Sequence, residues 1–281
     1  MAIIFDAQKE YDFLLADIKT KLADMPKLCL ASVAVGQDPS AKSYRLAQEK
    51  LAKELGIEYR SIDLGLNNSY QDFKTEIKRL NQAKEVTGII LNKPFPPEWN
   101  DADVFSLLSE EKDIEGMHPA NLGRFFLTQP RFTSPTVLSV MRMIDESKVQ
   151  LRGRRVVLVG FSPLIGRPLA LWLGSKLATV SITHIGTFEE GDLPSYIERA
   201  DIVISAVGKP GLIKGDWIKE KAIVIDVGTG YNDNKISGDV EFDKAKEKAA
   251  FITPVPGGVG KLTTMFLYRN LVLAYKLSLK S

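Results

Sequence analysis

Residues 155–168 read RVVLVGFSPLIGRP. An apolar run ends at Gly160, a tight turn carries Phe161, Ser162 and Ile165, and Gly166 opens a helical pattern at Arg167-Pro168. Glycines in such a strand-to-helix turn let the backbone approach a pyrophosphate, whose charge then rests at the helix N-terminus. The spacing is not the common GxGxxG, and an ordinary strand-to-helix turn would read much the same on its own. Three further strand ends favour a nucleotide. They are THIGT at 183–187, with Ile185; SAVGKPG at 205–211, with Val207 and Gly208; and DVGTG at 226–230, with Asp226 and Gly228. Ligands of parallel α/β sheets bind outside the carboxyl ends of the strands, the edge on which all these turns would fall.

The same residues bear on which nicotinamide cofactor would fit. An NAD site usually places Asp or Glu at the end of the second strand, whereas a 2′-phosphate needs cationic or hydroxyl donors. Here that strand ends His184-Ile185-Gly186-Thr187, with Glu189 and Glu190 slightly further on. Phe161 and Ile185 offer no donor, and Arg167, the nearest fixed cation, is equally placed to serve the pyrophosphate or solvent. The balance leans to NAD over NADP. Asp226, ending AIVID, reads equally as a structural or a cofactor-facing residue.

The elements that must position these turns alternate in period between two and three-point-six. β-rich runs occur at 28–35, 57–64 and 87–91, with helical patterns near 40–55 and 70–83. A second series follows: RVVLVG, TVSITH, IVISAV and AIVIDV, separated by helix-like segments. Such alternation predicts an α/β fold with parallel sheets, because parallel strands need crossover connections. The stretch TQPRFTSP at 128–135 predicts a domain boundary, with Ser134 as N-cap and Pro135 in the first turn of the next helix. Two α/β domains with a cleft between them are expected. One comprises 1–130 plus the amphipathic C-terminal helix of 262–281, which packs back on it; a Rossmann-like nucleotide domain spans 131–261.

Composition sets the outer limits. Lys and Arg number 37 against 35 Asp and Glu over 281 residues, so no strong field favours nucleic acid or anionic lipid. A single cysteine, Cys29, excludes an intramolecular disulfide, and two histidines make a zinc site unexpected; no metal is predicted. Asp6 and Glu10 interrupt any signal-peptide core, and no apolar run approaches a membrane span. A cytoplasmic protein with no membrane or nucleic-acid partner is expected.

The glycine turns, read with VGQDPSAKSYRLAQEKLAKELGI, EKDIEGMHPANLGR and TPVPGGVGKLTT, are specific together. Nearly end to end, the chain resembles the methylenetetrahydrofolate dehydrogenase/cyclohydrolase (FolD) family. The resemblance implies a small-molecule folate substrate and a homodimer built through the nucleotide domain. It also implies oxidation of 5,10-methylenetetrahydrofolate to the methenyl form by hydride transfer to NAD(P), and in most members hydrolysis to 10-formyltetrahydrofolate. Residue by residue, Tyr44 matches the tyrosine of the family's YxxxK helix, expected against the folate ring. Gln48 stands where that motif has its lysine, Asn92 where a VQLP segment has glutamine, and Glu115 where a DVDG segment has aspartate. Lys261 replaces the proline after PGGVG. The resemblance places Tyr44, Gln48, Asn92 and Glu115 in the catalytic group. Lys50, Pro256, Gly257 and Gly258 fall on the substrate side, the two glycines for close backbone approach.

Tyr44 and Gln48, four apart, share a helix face, while Lys50 lies roughly 200° further round from Gln48. Hydride transfer chiefly needs alignment and exclusion of water. Hydrolysis needs an activated water and a proton relay, which a neutral amide cannot supply. Loss of such a group costs on the order of 10²–10⁴ in rate, so cyclohydrolase activity is predicted weak or absent. The alternative is a bifunctional enzyme with a rearranged site, in which Lys93 or Lys261 fills the cationic position. A folate- or nucleotide-binding paralogue without activity would have no physical need of the intact turns. A hydroxy- or amino-acid dehydrogenase would need a carboxylate clamp that the sequence lacks.

Overall fold

The computed structural model describes residues 2–36, 39–65, 68–127, 129–232 and 235–280. The chain divides into two compact units, residues 12–135 with 264–281 and residues 1–11 with 136–263. The predicted boundary at 128–135 lies near that division, with Thr128 outside the described residues.

The first unit holds a three-stranded parallel sheet in the order Glu58–Leu64, Cys29–Val35, Gly88–Asn92. Cys29–Val35 and Gly88–Asn92 are buried at every position, as expected of parallel strands covered on both faces. The helix Pro39–Leu55 carries its buried stripe at Gln48, Leu51, Ala52 and Leu55, the 3.6-residue period of a helix lying on a sheet. The helix Tyr70–Gln82 starts in a capping box, with the Ser69 and Asp72 side chains each accepting from the other's backbone N–H. The helix Val259–Ser278 reaches this unit from 264 onward, and its Asn270 amide donates to the carbonyls of Ile114 (2.7 Å) and Thr133 (2.9 Å). The C-terminal helix thus packs back on the first unit, as the sequence predicts.

The second unit is built on a six-stranded parallel sheet. Its order is Ile3–Ile4, Phe251–Ile252, Ile223–Asp226, Ile202–Ser205, Arg155–Val159, Thr179–Thr183. Its central strands, IVIS and IVID, are wholly buried. One assignment changes here: the sequence places residues 1–130 together, yet Ile3 and Ile4 pair with Phe251 and Ile252 in this sheet. The Phe5 ring lies 5.9 Å from that of Phe251, which fixes the N-terminal segment on this unit. Ser134 also departs from expectation. Its hydroxyl is buried without a hydrogen bond among the described residues, so it does not cap the helix Pro135–Glu146.

Candidate active site

In the first unit, strand register decides what can meet. Leu30 pairs with Tyr59 and Ala34 with Asn92, so Tyr59, Ser32 and Asn92 project from one face of the sheet. The helix Pro39–Leu55 lies over that face and presents Gln48, whose exposure is 0%. A fully buried amide must find partners for both its ends, and Gln48 does. Its Oε1 accepts from Ser32 Oγ (3.1 Å) and from the Tyr59 hydroxyl (3.1 Å), and its Nε2 donates to Asn92 Oδ1 (3.4 Å). Asn92 Nδ2 donates to Ser32 Oγ (2.8 Å) and to the Val33 carbonyl (3.0 Å). The Tyr268 hydroxyl donates to the Gln48 carbonyl at 2.7 Å.

Tyr44 lies one helical turn before Gln48 and is hydrogen-bonded to it. Burial raises its phenol well above the ordinary range. The Glu115 carboxylate adds to that rise, with Tyr268 and Tyr59 behind it, and the Gln48 hydrogen bond works the other way. Glu115 sits in a turn closed by Gly116 at φ +72°, where an added Cβ would lie 2.9 Å from the Phe132 carbonyl. Burial first, and the Asp113 carboxylate second, push the Glu115 carboxyl up to about 8. Asp113 is itself buried and accepts from the His118 N–H (2.7 Å) and Asn121 Nδ2 (2.8 Å). The structure therefore joins Gln48 and Asn92 in one hydrogen-bonded network with Ser32 and Tyr59, with Tyr44 on the same helix as Gln48.

Lys50 is exposed on its helix and takes no part in that group. Lys93 pairs with Asp101 and stands over the Phe95 ring. In the second unit, Lys261 bonds to Gln8 and stands 5.5 Å from the Tyr11 ring centroid. His118 caps the helix Pro119–Phe126, its Nδ1 accepting from the Ala120 N–H at 3.1 Å.

In the second unit the strands preceding the glycine turns are all parallel, which sets those turns along one sheet edge. Gly160 has φ +107°, and a Cβ on Gly166 would lie 2.3 Å from the Gly160 carbonyl. Only glycine permits this approach of helix to strand. Ser162 Oγ accepts from the Ile165 N–H (3.2 Å), and Ile165 supplies no side-chain cap to the helix Gly166–Ser175. Phe161 and Ile185 are exposed, and the Arg167 guanidinium stands 5.5 Å from the Phe161 ring centroid. Gly208 has φ +80°, and Val207 is exposed beside it.

Asp226 requires a correction. Its carboxylate accepts from the N–H groups of Gly228 (3.0 Å), Asp239 (3.1 Å) and Val240 (2.9 Å), so it organises the loop instead of presenting itself to a cofactor. Burial, with Asp239 adjacent, pushes it up to about 7. Asp239, which sequence reading missed, accepts from Ser205 Oγ (2.7 Å), the Val207 N–H (2.8 Å) and the Lys209 N–H (2.7 Å). A Cβ on Gly228 would strike the Asp239 carboxylate at about 2 Å. Gly258 is closed in the same way, 2.4 Å from the Pro254 carbonyl, beside Pro256. Gly257 has open space, and its φ of +101° is what excludes a side chain.

Among the described residues no group of three or more His, Cys, Asp or Glu could hold a metal ion. Among them too, no helix is long and apolar enough to cross a membrane.

A six-stranded parallel sheet with glycine turns along its carboxyl edge, joined to a second α/β unit with a buried polar cluster, defines a two-domain dinucleotide-binding α/β protein. Residues 6–115 match the tetrahydrofolate dehydrogenase/cyclohydrolase catalytic domain, and residues 134–279 the NAD(P)-binding domain of the same family. The chain belongs to the tetrahydrofolate dehydrogenase/cyclohydrolase family. It is 43% identical over 247 residues to the bifunctional protein FolD of Geotalea uraniireducens, covering 87% of each chain. It is 38% identical over 283 residues to bifunctional protein FolD 2 of Geobacter sulfurreducens, covering 99% of this chain and 98% of that one. The Trypanosoma brucei methylenetetrahydrofolate dehydrogenase-cyclohydrolase, solved with NADP and an inhibitor, superposes with a TM-score of 0.94. It is 30% identical, over 100% of this chain and 99% of that one.

Proposed function

We propose that this chain oxidises 5,10-methylenetetrahydrofolate to the 5,10-methenyl form by hydride transfer to NAD(P), and that it also hydrolyses the methenyl product to 10-formyltetrahydrofolate. The observation that carries this is the family match over both units, extending nearly the whole chain. The bifunctional relatives favour retained hydrolysis over the weak or absent cyclohydrolase that Gln48 alone predicts.

Folate belongs to the first unit, against Tyr44, with Asn92 and Glu115 in the same unit. The nicotinamide cofactor belongs to the second unit. The close approach of Gly160 to Gly166 and the uncapped helix start at Ile165 fit a pyrophosphate. When bound, the cofactor supplies the hydride acceptor. Phe161 and Ile185, exposed and with side chains that offer no donor, favour NAD over NADP. We assign no metal, a cytoplasmic location and a homodimer. The open sheet edge at Thr179–Thr183, with Ile182 exposed, suits pairing with a second copy.

The deciding experiment is a time course with 5,10-methylenetetrahydrofolate and NAD or NADP, following reduced nicotinamide and methenyl product together. Nicotinamide reduction without methenyl build-up, where spontaneous hydrolysis is slow, is expected. Methenyl accumulating in step with reduced nicotinamide would return the assignment to a dehydrogenase alone.

A further inference from the structure

One carbonyl fixes the direction of the hydrogen bonds around Asn92. The Val33 carbonyl can only accept, so Asn92 turns its NH₂ towards it (3.0 Å). The second proton of that NH₂ goes to Ser32 Oγ at 2.8 Å. Asn92 Oδ1 then faces Gln48 and must accept, which makes Gln48 Nε2 the donor (3.4 Å). Gln48 Oε1 takes the Ser32 proton and the Tyr59 proton, each at 3.1 Å; Tyr59 reaches the Arg45 carbonyl only at a longer 3.4 Å. The Tyr268 hydroxyl holds the Gln48 carbonyl (2.7 Å), so the backbone behind the amide is fixed as well.

Asn92 has thus spent both its N–H protons, and Gln48 Oε1 both its lone pairs. Asn92 Oδ1 has spent one lone pair of two, on Gln48. Asn92 is also the last residue of the strand Gly88–Asn92, at the carboxyl end of a parallel sheet, where ligands of such sheets bind. Ser32 and Gln48 are 0% exposed, against 6% for Asn92. We propose that Asn92 Oδ1 accepts an N–H of the folate pterin, and that Ser32, Tyr59 and Gln48 are positioning residues that hold this oxygen in place. The role rests on the folate assignment above. The contact reads polarity: a carbonyl oxygen at that place would meet another oxygen, because Val33 forbids the amide to turn over. Gln48, with both ends of its amide engaged, acts through Asn92 and not on the substrate.

The test is a double-mutant cycle in the full-length chain. The KM for 5,10-methylenetetrahydrofolate and for NAD(P) is measured below the melting temperature of each variant. The variants are Ser32→Ala, Tyr59→Phe, Asn92→Leu, and Asn92→Leu combined with Tyr59→Phe. Asn92→Leu removes the acceptor and is expected to raise the folate KM by about tenfold or more. Ser32→Ala and Tyr59→Phe are expected to raise it by less, with the KM for NAD(P) unmoved. In the Asn92→Leu background, Tyr59→Phe is expected to add nothing to the folate KM, because it acts through an amide that is gone. Effects of the two substitutions that simply add would overturn the positioning role. A folate KM unmoved by Tyr59→Phe, or an equal rise in both KM values, would overturn it too. Tyr59 lies on the edge strand and keeps its ring in Tyr59→Phe, so this variant decides alone if Ser32→Ala or Asn92→Leu fails to fold. Wild type that neither reduces NAD(P) nor binds tetrahydrofolate in direct titration would overturn the folate assignment and this contact together. Normal wild-type turnover with an unmoved folate KM in Tyr59→Phe would overturn the contact alone.

Discussion

The backbone N–H of Asp239 donates to the Asp226 carboxylate at 3.1 Å, joining two buried carboxylates into one support beneath the glycine turns. Asp226 holds Gly228 and Val240; Asp239 holds Ser205, Val207 and Lys209. Neither carboxylate is presented to a ligand, yet both fix the loops that a cofactor would meet. Buried carboxylates that accept several N–H bonds act as internal caps for loops without regular pairing.

Replacing Asp239 by Asn puts an NH₂ against an N–H donor. The expected cost is about 1–3 kcal/mol of stability, read as a lowered melting temperature, together with a raised dissociation constant for NAD(P) in direct titration. Unaltered cofactor affinity in a folded variant would show that the 207–209 loop does not depend on this carboxylate.

Glu115 links stability to pH in a defined direction. Its folded carboxyl titrates near 8 against an ordinary value of 4.5. Between those values the folded chain keeps a proton that the unfolded chain has lost, so this group's contribution to stability falls as pH rises. Glu115→Gln removes that slope. Its melting temperature should gain on wild type progressively from about pH 5 to about pH 9; a constant difference would mean that the carboxyl titrates normally.

A cation at Gln48 acts on the buried network. In Gln48→Lys the Ser32 and Tyr59 hydroxyls lose their shared acceptor. The expected cost is about 1–3 kcal/mol of stability, read as a lowered melting temperature. An unchanged melting temperature would show that these hydroxyls find their partners without Gln48.

Cofactor preference has its own test in the second unit. Phe161→Arg with Ile185→Ser installs the donors that a 2′-phosphate requires, and kcat/KM should shift towards NADP by about tenfold or more, or about 1.4 kcal/mol. No shift would place the 2′ position elsewhere along the sheet edge.

The strands that carry both sheets were legible because buried parallel strands read as continuous apolar runs, as in CLASVAV and IVIS. Tyr44 and Gln48 were legible as a pair from their four-residue spacing. Ser32 and Tyr59 were not, since the Ser32–Gln48–Asn92 network joins residues 16 to 60 positions apart and depends on strand register. Asp239 gave no signal either: a lone Asp in SGDVEF looks like any turn residue until Asp226 and Val207 are found around it. Ile3 and Ile4 were assigned to the wrong unit because a two-residue strand has no period to read, and its partner lies about 250 residues away.

That short strand bears on synthesis. The sheet holding Ile3 and Ile4 waits for Phe251 and Ile252, and the unit holding Ile114 waits for Asn270. Because each unit combines segments distant in the chain, neither is complete until residues 251–270 have been made. A growing chain therefore carries two unfinished cores at once, and until those residues emerge both stay open to chaperones and proteases.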